Sequence, residues 1–206
     1  MSKRERTIYD LYVKRAFDIG ASVSALILLS PLYLASAAAI IIEDGRPVIF
    51  RQERIGIDKS RFIMHKFRSM KKGTPTDVPT HLAKGHIAEN TTRMGRIIRK
   101  YSIDEIPQFY DILMGKMSLI GPRCALWNQE DLIAERDKYG ANDIRPGLTG
   151  WAQINGRDDI DIPEKARLDG EYTRQLKTSS AKGFIMDLKC LAGTVSAVIK
   201  ANGVAE

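Results

Sequence analysis

The chain has 206 residues, with 32 lysines and arginines against 25 aspartates and glutamates, a formal charge of +7. That length fits one domain plus an anchor and leaves little room for two independent cores, and the positive balance suits partners that carry phosphate. Cys124 and Cys190 are the only cysteines and lie in no CxxC or ligand-spaced pair, which excludes a disulfide framework and a zinc signature and leaves both as small buried hydrophobes.

From Ile19 to Ile42 run 24 residues without a formal charge. A straight helix of that length reaches about 36 Å, enough for roughly 30 Å of hydrocarbon. Ser30 and Pro31 divide the run into two arms of 11 residues. Proline removes an amide donor and clashes with the carbonyl four residues back, so a kink is expected there, with the Ser30 hydroxyl placed to satisfy a freed carbonyl. Lys3, Arg4, Arg6, Lys14 and Arg15 precede the run, and Arg46, Arg51, Arg54, Lys59 and Arg61 follow it. Both flanks therefore ask for the cytoplasmic side. A signal peptide, a buried core helix, a straight crossing and a re-entrant hairpin all remain open; the paired basic flanks favour the last.

Pro47 to Met70 reads as a β-hairpin with turn residues from Gly56 to Ser60. Lys71 to Asn90 is polar and weakly periodic, a loop in which His81 and His86 lack a third ligand at a recognisable spacing. Thr92 to Lys100 places Met94, Ile97 and Ile98 on one helical stripe among basic residues, suited to anionic headgroups. Glu130 to Tyr139 and Pro163 to Leu176 are further helix candidates. Phe184 to Ile199 fits an interfacial helix or a docking helix equally well.

The densest polar constellation is Arg99 to Gln108. Ser102 and Glu105 have capping-box spacing, yet Pro107 suits a helix that begins nearer to it. Either start leaves Asp104 and Glu105 at a helix N-terminus, where adjacent carboxylates can hold a divalent ion while Arg99 faces a phosphate. A plain acidic first turn is the structural alternative. Met117-Ser-Leu-Ile-Gly-Pro-Arg123 and Arg145-Pro-Gly-Leu-Thr-Gly-Trp-Ala-Gln-Ile-Asn-Gly-Arg157 add glycine, proline and arginine turns with exposed amides and guanidinium donors. Neither is a Walker loop nor the strand-linked GxGxxG of a dinucleotide fold.

These stretches, with Pro47 to Gly56, Lys66-Phe-Arg-Ser-Met70, Thr92 to Arg96, Ser102 to Gln108, Asp187-Leu-Lys189, Lys14 to Asp18 and the Ser30-Pro31 break, closely resemble the bacterial sugar transferase family. Its members are monotopic phosphoglycosyl transferases that start glycan assembly on polyprenol phosphate. The resemblance implies a small α/β member: a kinked re-entrant helix within residues 1–46, then interfacial amphipathic helices and a compact catalytic domain over residues 47–206, on the cytoplasmic face of the bacterial inner membrane. It implies Mg²⁺-dependent transfer of a sugar 1-phosphate from a UDP-sugar to polyprenol phosphate, with UMP released. Asp104 takes the place of the nucleophile and Glu105 helps it hold Mg²⁺. Arg99, Arg123, Arg145 and Lys66 take the places of phosphate-binding cations. Membrane phospholipids are expected partners, and homodimerisation is left open. Lys116 and Cys124 stand where relatives often carry aspartate and proline. A non-enzymatic scaffold and a nucleic-acid binder are the rival classes; no finger, recognition helix or aromatic RNA-binding signature accompanies the charge, so no nucleic-acid partner is expected.

Overall fold

The computed structural model describes residues 6–75, 89–156 and 160–199. Lys3, Arg4, His81, His86 and Arg157, all singled out above, lie outside the described residues. One π-helical turn, Tyr9–Val13, leads into α1 (Lys14–Leu28), and α2 (Ser30–Asp44) follows after Leu29. The two arms are bent by 60°. The break falls at Leu29, with φ −90° and ψ 3°, one residue before Ser30-Pro31. Pro31 sits in the first turn of α2, where a missing amide costs no helical bond. The carbonyl four residues before it belongs to Ile27, and Ser30 Oγ donates to that oxygen at 2.8 Å. The arms are longer than the 11 residues read from the apolar run, because each helix continues into its polar flank.

Among the described residues no single helix is long and apolar enough to cross a membrane; the bent pair meets that requirement only together. Leu28 and Ile42 are 76% and 85% exposed, the extremes of an apolar surface that runs along both arms. An exposed patch of this kind marks an interaction surface.

The body is a mixed α/β structure. β1 (Ile49–Ile55) pairs antiparallel with β2 (Arg61–Phe67), in the register Gln52↔Met64, as the turn residues between them predicted. α3 (Arg93–Lys100) starts at Thr92, whose hydroxyl accepts the Gly95 amide at 2.9 Å. The carboxylate of Glu43, at the end of α2, accepts the Arg93 and Met94 amides at 2.7 and 2.9 Å. Two carboxylate bonds thus tie the helix pair to α3. Met94 and Ile98 pack with Ile40, Phe67 and Ile106, whereas Ile97, placed by periodicity on the same stripe, faces outward. A β-carbon at Gly95 would lie 1.9 Å from the Ser69 carbonyl, so α3 rests directly on the backbone that leaves β2.

After α4 (Gln108–Leu113) comes a second, parallel sheet of β3 (Ser118–Ile120) and β4 (Gly147–Thr149), paired Ser118↔Gly147 and Ile120↔Thr149. α5 (Glu130–Asp137) connects them, and α6 (Trp151–Ile154), α7 (Ile162–Thr178) and α8 (Ser180–Ile199) complete the chain. Met186 and Cys190 of α8 are buried with Tyr9, Ile120, Tyr172 and Leu176, while Phe184, Ile185, Leu188 and Val195 are exposed. Both readings of this helix therefore describe one of its faces. Cys124 and Cys190 are free and buried, as expected, and burial pushes the Cys190 thiol up to about 12.

Charged groups join the N-terminal segment to this body. Asp187 Oδ2 accepts from Lys14 Nζ and from the Tyr9 hydroxyl, both at 2.7 Å, and its Oδ1 accepts from Tyr172 at 2.7 Å. Removing one member of a buried pair like Lys14–Asp187 typically costs about 3–5 kcal/mol. Asp18 Oδ1 accepts from the Leu119 amide at 2.9 Å and the Ser118 hydroxyl at 3.1 Å. Arg6 donates to the Asp143 carbonyl, and Arg15 to those of Ile112 and Leu113. Arg6, Lys14 and Arg15, three of the basic residues before the apolar run, thus have partners inside the protein. Lys14, at 6% exposure, is the clearest case.

Candidate active site

The acidic pair occupies a 3-10 turn, Ile103–Glu105, between α3 and α4. Ser102 enters it with φ 55°, a left-handed conformation, and its side chain makes no capping bond. The capping-box alternative is therefore corrected, and the helix begins at Gln108, directly after Pro107. Glu105 Oε1 receives Lys66 Nζ from β2 at 2.9 Å and Arg123 Nη2 from the Gly-Pro-Arg turn at 2.6 Å. Asp104, 9% exposed, makes no ion pair among the described residues.

The neighbours separate the two carboxyls electrostatically. Burial works against the charge on Glu105, but Arg123 and then Lys66 outweigh it and hold the carboxyl well below the usual carboxylate range. For Asp104 burial dominates and raises the carboxyl above that range; Lys66 opposes it most strongly, Glu105 adds to it, and Arg99 and Arg123 oppose it further. The Glu105 carboxyl is held in place by two cations, and the Asp104 carboxyl is enclosed with no ion pair among the described residues.

Glycines set where Arg123 stands. Gly121 donates to the Thr149 carbonyl at 2.8 Å and Gly147 to the Pro122 carbonyl at 2.8 Å. A β-carbon at Gly147 would lie 2.1 Å from the Gly121 nitrogen, and one at Gly150 would lie 2.1 Å from the Gly121 carbonyl. The two glycine-bearing motifs, read from sequence as separate phosphate loops, dock on each other backbone to backbone. That contact carries Arg123 to Glu105.

Arg145 takes a different place from the other predicted cations. Its Nε donates to the Gly115 carbonyl at 3.0 Å, beside the Arg15 bonds to Ile112 and Leu113. Both guanidinium groups thus satisfy carbonyls at the C-terminal end of α4, the helix that follows the acidic turn. Lys66, Glu105 and Arg123 are in direct contact and Arg99 acts on Asp104 through space, while Arg145 braces α4 from its far end. Three further residues at or behind the site were missed from sequence. His65 Nδ1 lies 2.8 Å from Asp111 Oδ1, and that fully buried carboxylate also accepts the His65 amide. Arg136 donates to the Arg123 carbonyl at 2.8 Å. Their only sequence signal is a charge inside an otherwise helical or β-strand pattern, which marks a solvated face as readily. Gly147→Ala is expected to destabilise the protein by about 1–3 kcal/mol, because the docked backbones cannot absorb a methyl group. By thermal melting this lowers Tm by roughly 2–12 °C; an unchanged Tm would show that the two motifs separate freely.

The profile of the bacterial sugar transferase family matches residues 9–201. The uncharacterized sugar transferase EpsL of Bacillus subtilis is 36% identical over 94% of this chain and 91% of its own length. The exopolysaccharide production protein PSS of Rhizobium leguminosarum is 36% identical over 90% of this chain and 94% of its own. The undecaprenyl-phosphate glucose phosphotransferase of Komagataeibacter xylinus is 38% identical over 84% of this chain, which spans 34% of that longer protein. With the match running from the π-helical turn through α8, and with the acidic turn, the Gly-Pro-Arg turn and their partners inside it, the chain belongs to the bacterial sugar transferase family.

Proposed function

We propose that the chain is a phosphoglycosyl transferase that moves a sugar 1-phosphate from a UDP-sugar to polyprenol phosphate, giving a polyprenyl-diphosphate sugar and UMP. The observation that carries this reading is the division between adjacent carboxyls: Glu105 is clamped by Lys66 and Arg123, and Asp104 beside it has no ion pair among the described residues. The name of the Komagataeibacter xylinus relative supports the same acceptor class.

Asp104 attacks the sugar-bearing phosphorus of the donor, and the bond from that phosphorus to the oxygen of UMP breaks. An oxygen of polyprenol phosphate then attacks the same phosphorus and releases the Asp104 carboxylate. Lys66 and Arg123 keep Glu105 ionised and fixed, while Arg99 and Arg123 meet charge on the transferring phosphoryl group. Among the described residues no cluster of three or more acidic, histidine or cysteine side chains forms a complete metal cage. Mg²⁺ is commonly held by one or two carboxylates together with substrate phosphates and water, and the Asp104–Glu105 pair fits that donor set. Bound there, the ion would neutralise diphosphate charge and stabilise the departing UMP.

The same reading embeds α1 and α2 in the cytoplasmic leaflet of the bacterial inner membrane as a re-entrant hairpin, with both ends and the catalytic body on the cytoplasmic side and phospholipids against the exposed apolar surface. This brings a lipid-borne acceptor to a site that a soluble donor also reaches. Cysteines placed at positions 2 and 60 in a background without Cys124 and Cys190 should label from the same side of sealed inverted vesicles; labelling from opposite sides would contradict the hairpin.

The enzymatic test is UMP release from a panel of UDP-sugars with Mg²⁺ and polyprenol phosphate. Turnover with one of them is expected, and Asp104→Asn should abolish it; Asp104→Asn turning over at the parental rate would sink the assignment. The acid limb of the kcat profile should lie above the ordinary aspartate range, since Asp104 must be ionised to attack and its carboxyl is raised. Lys66→Met removes the strongest opposing charge, so its acid limb moves further up. A downward movement would contradict the role given to Lys66.

A further inference from the structure

The turn that bears Arg123 is held by an unbroken series of carbonyl bonds. The Pro122 carbonyl accepts the Gly147 amide at 2.8 Å, the Arg123 carbonyl accepts Arg136 Nη1 at 2.8 Å, and the Cys124 carbonyl accepts Arg54 Nη1 at 3.1 Å. Arg54 is itself oriented by Gln52 Oε1, which takes its Nε and Nη2 at 3.1 and 2.6 Å. Arg136, on α5, is 3% exposed, and its Nε and Nη2 both meet Asp169 Oδ2 of α7, at 2.9 and 2.6 Å. Asp169 is 1% exposed.

A buried ion pair is a weak source of stability, because the desolvation of two charges offsets most of their attraction, and well-packed apolar residues of similar volume often serve as well. Stability alone therefore gives little reason for Arg136 and Asp169. The guanidinium fork gives one: two donors fix it on Asp169, and the third is left to grip the Arg123 carbonyl. Only a planar group with several fixed donors makes both connections at once; a lysine ammonium on its flexible stem does not reproduce the fork.

We propose that Arg136, fixed by Asp169, is a positioning residue that sets the Arg123 guanidinium against the Glu105 carboxylate. The connection runs Asp169, Arg136, Arg123 backbone, Arg123 side chain, Glu105, and every link is a hydrogen bond or the residue itself. It meets at Glu105 Oε1 the Lys66 ammonium that arrives from β2. The consequence for catalysis rests on the transferase reading above; the consequence for the Arg123–Glu105 contact does not.

The test uses the full-length protein in lipid nanodiscs and two variants. The Arg136→Met/Asp169→Leu double variant replaces the ion pair by apolar volume, and Arg136→Lys keeps a charge opposite Asp169 but loses the fork. The readout is the Arg123 guanidinium, followed by ¹⁵N NMR with labelled arginine at neutral pH, its signal assigned by its loss in Arg123→Lys and its bond to Glu105 marked by the shift that Glu105→Gln produces, alongside kcat and KM for the UDP-sugar. In both variants the Arg123 signal should move from its parental position toward the one it takes in Glu105→Gln. A fall in kcat of about tenfold with a smaller change in KM is expected to accompany it. The Arg136→Lys variant covers the case in which the double variant fails to fold. An Arg123 signal unchanged in a folded variant would overturn the positioning role, whatever the fate of the transferase reading, because this measurement needs no substrate. Loss of stability with a parental kcat and a parental Arg123 signal would likewise reduce the pair to a structural one.

Discussion

Two cations from distant parts of the chain converge on one oxygen of Glu105, and the rest of the structure is arranged to bring them there. Lys66 is placed by a hairpin whose register is set by its own turn, so its approach needs little beyond local chemistry. Arg123 is different: its turn must be docked through glycines onto β4 and held by arginines behind it. Charge-assisted bonds of this kind are each worth about 1.5–3 kcal/mol, and here they favour the ionised form of a partly buried carboxyl beside a second one. The clamp on Glu105 leaves Asp104 beside it with no ion pair among the described residues.

The bent helix pair and the catalytic body are joined by the same kind of interaction. Lys14 and Tyr9 meet Asp187, Asp18 meets the start of β3, Glu43 caps α3, and Arg15 with Arg145 closes the far end of α4. These contacts tie the bent pair to α3, α4, β3 and α8, so it is held as one piece with the body.

Much of this architecture could be read from local signals. The hairpin followed from its turn residues, α3 from Thr92 and its apolar stripe, and the bend from Ser30 and Pro31, all interactions spanning a few residues. The acidic turn was found by pattern, and its likeness to a known family assigned the two carboxyls. What local reading missed depends on contacts far apart in sequence. Nothing around Lys14 points to Asp187, 173 residues away, so its buried partner was not legible. Arg136 lay in a charged helix and Arg145 in a cationic loop, and only the packing reveals that one holds a backbone carbonyl and the other caps a helix. The glycines of the two long motifs suggested anion-binding turns, but their shared reason is the absence of a side chain where two backbones meet.

The central claim is that Asp104, left unpaired by the clamp on its neighbour, becomes covalently bonded to the sugar phosphate. Incubating the protein with a UDP-sugar and Mg²⁺ in the absence of polyprenol phosphate, followed by intact and peptide mass spectrometry, tests this directly. The account predicts a sugar-phosphate adduct on the peptide that contains Asp104, lost on adding polyprenol phosphate and absent from Asp104→Asn. An unmodified Asp104 in protein that turns over once the acceptor is supplied would instead indicate direct attack by polyprenol phosphate and contradict the claim.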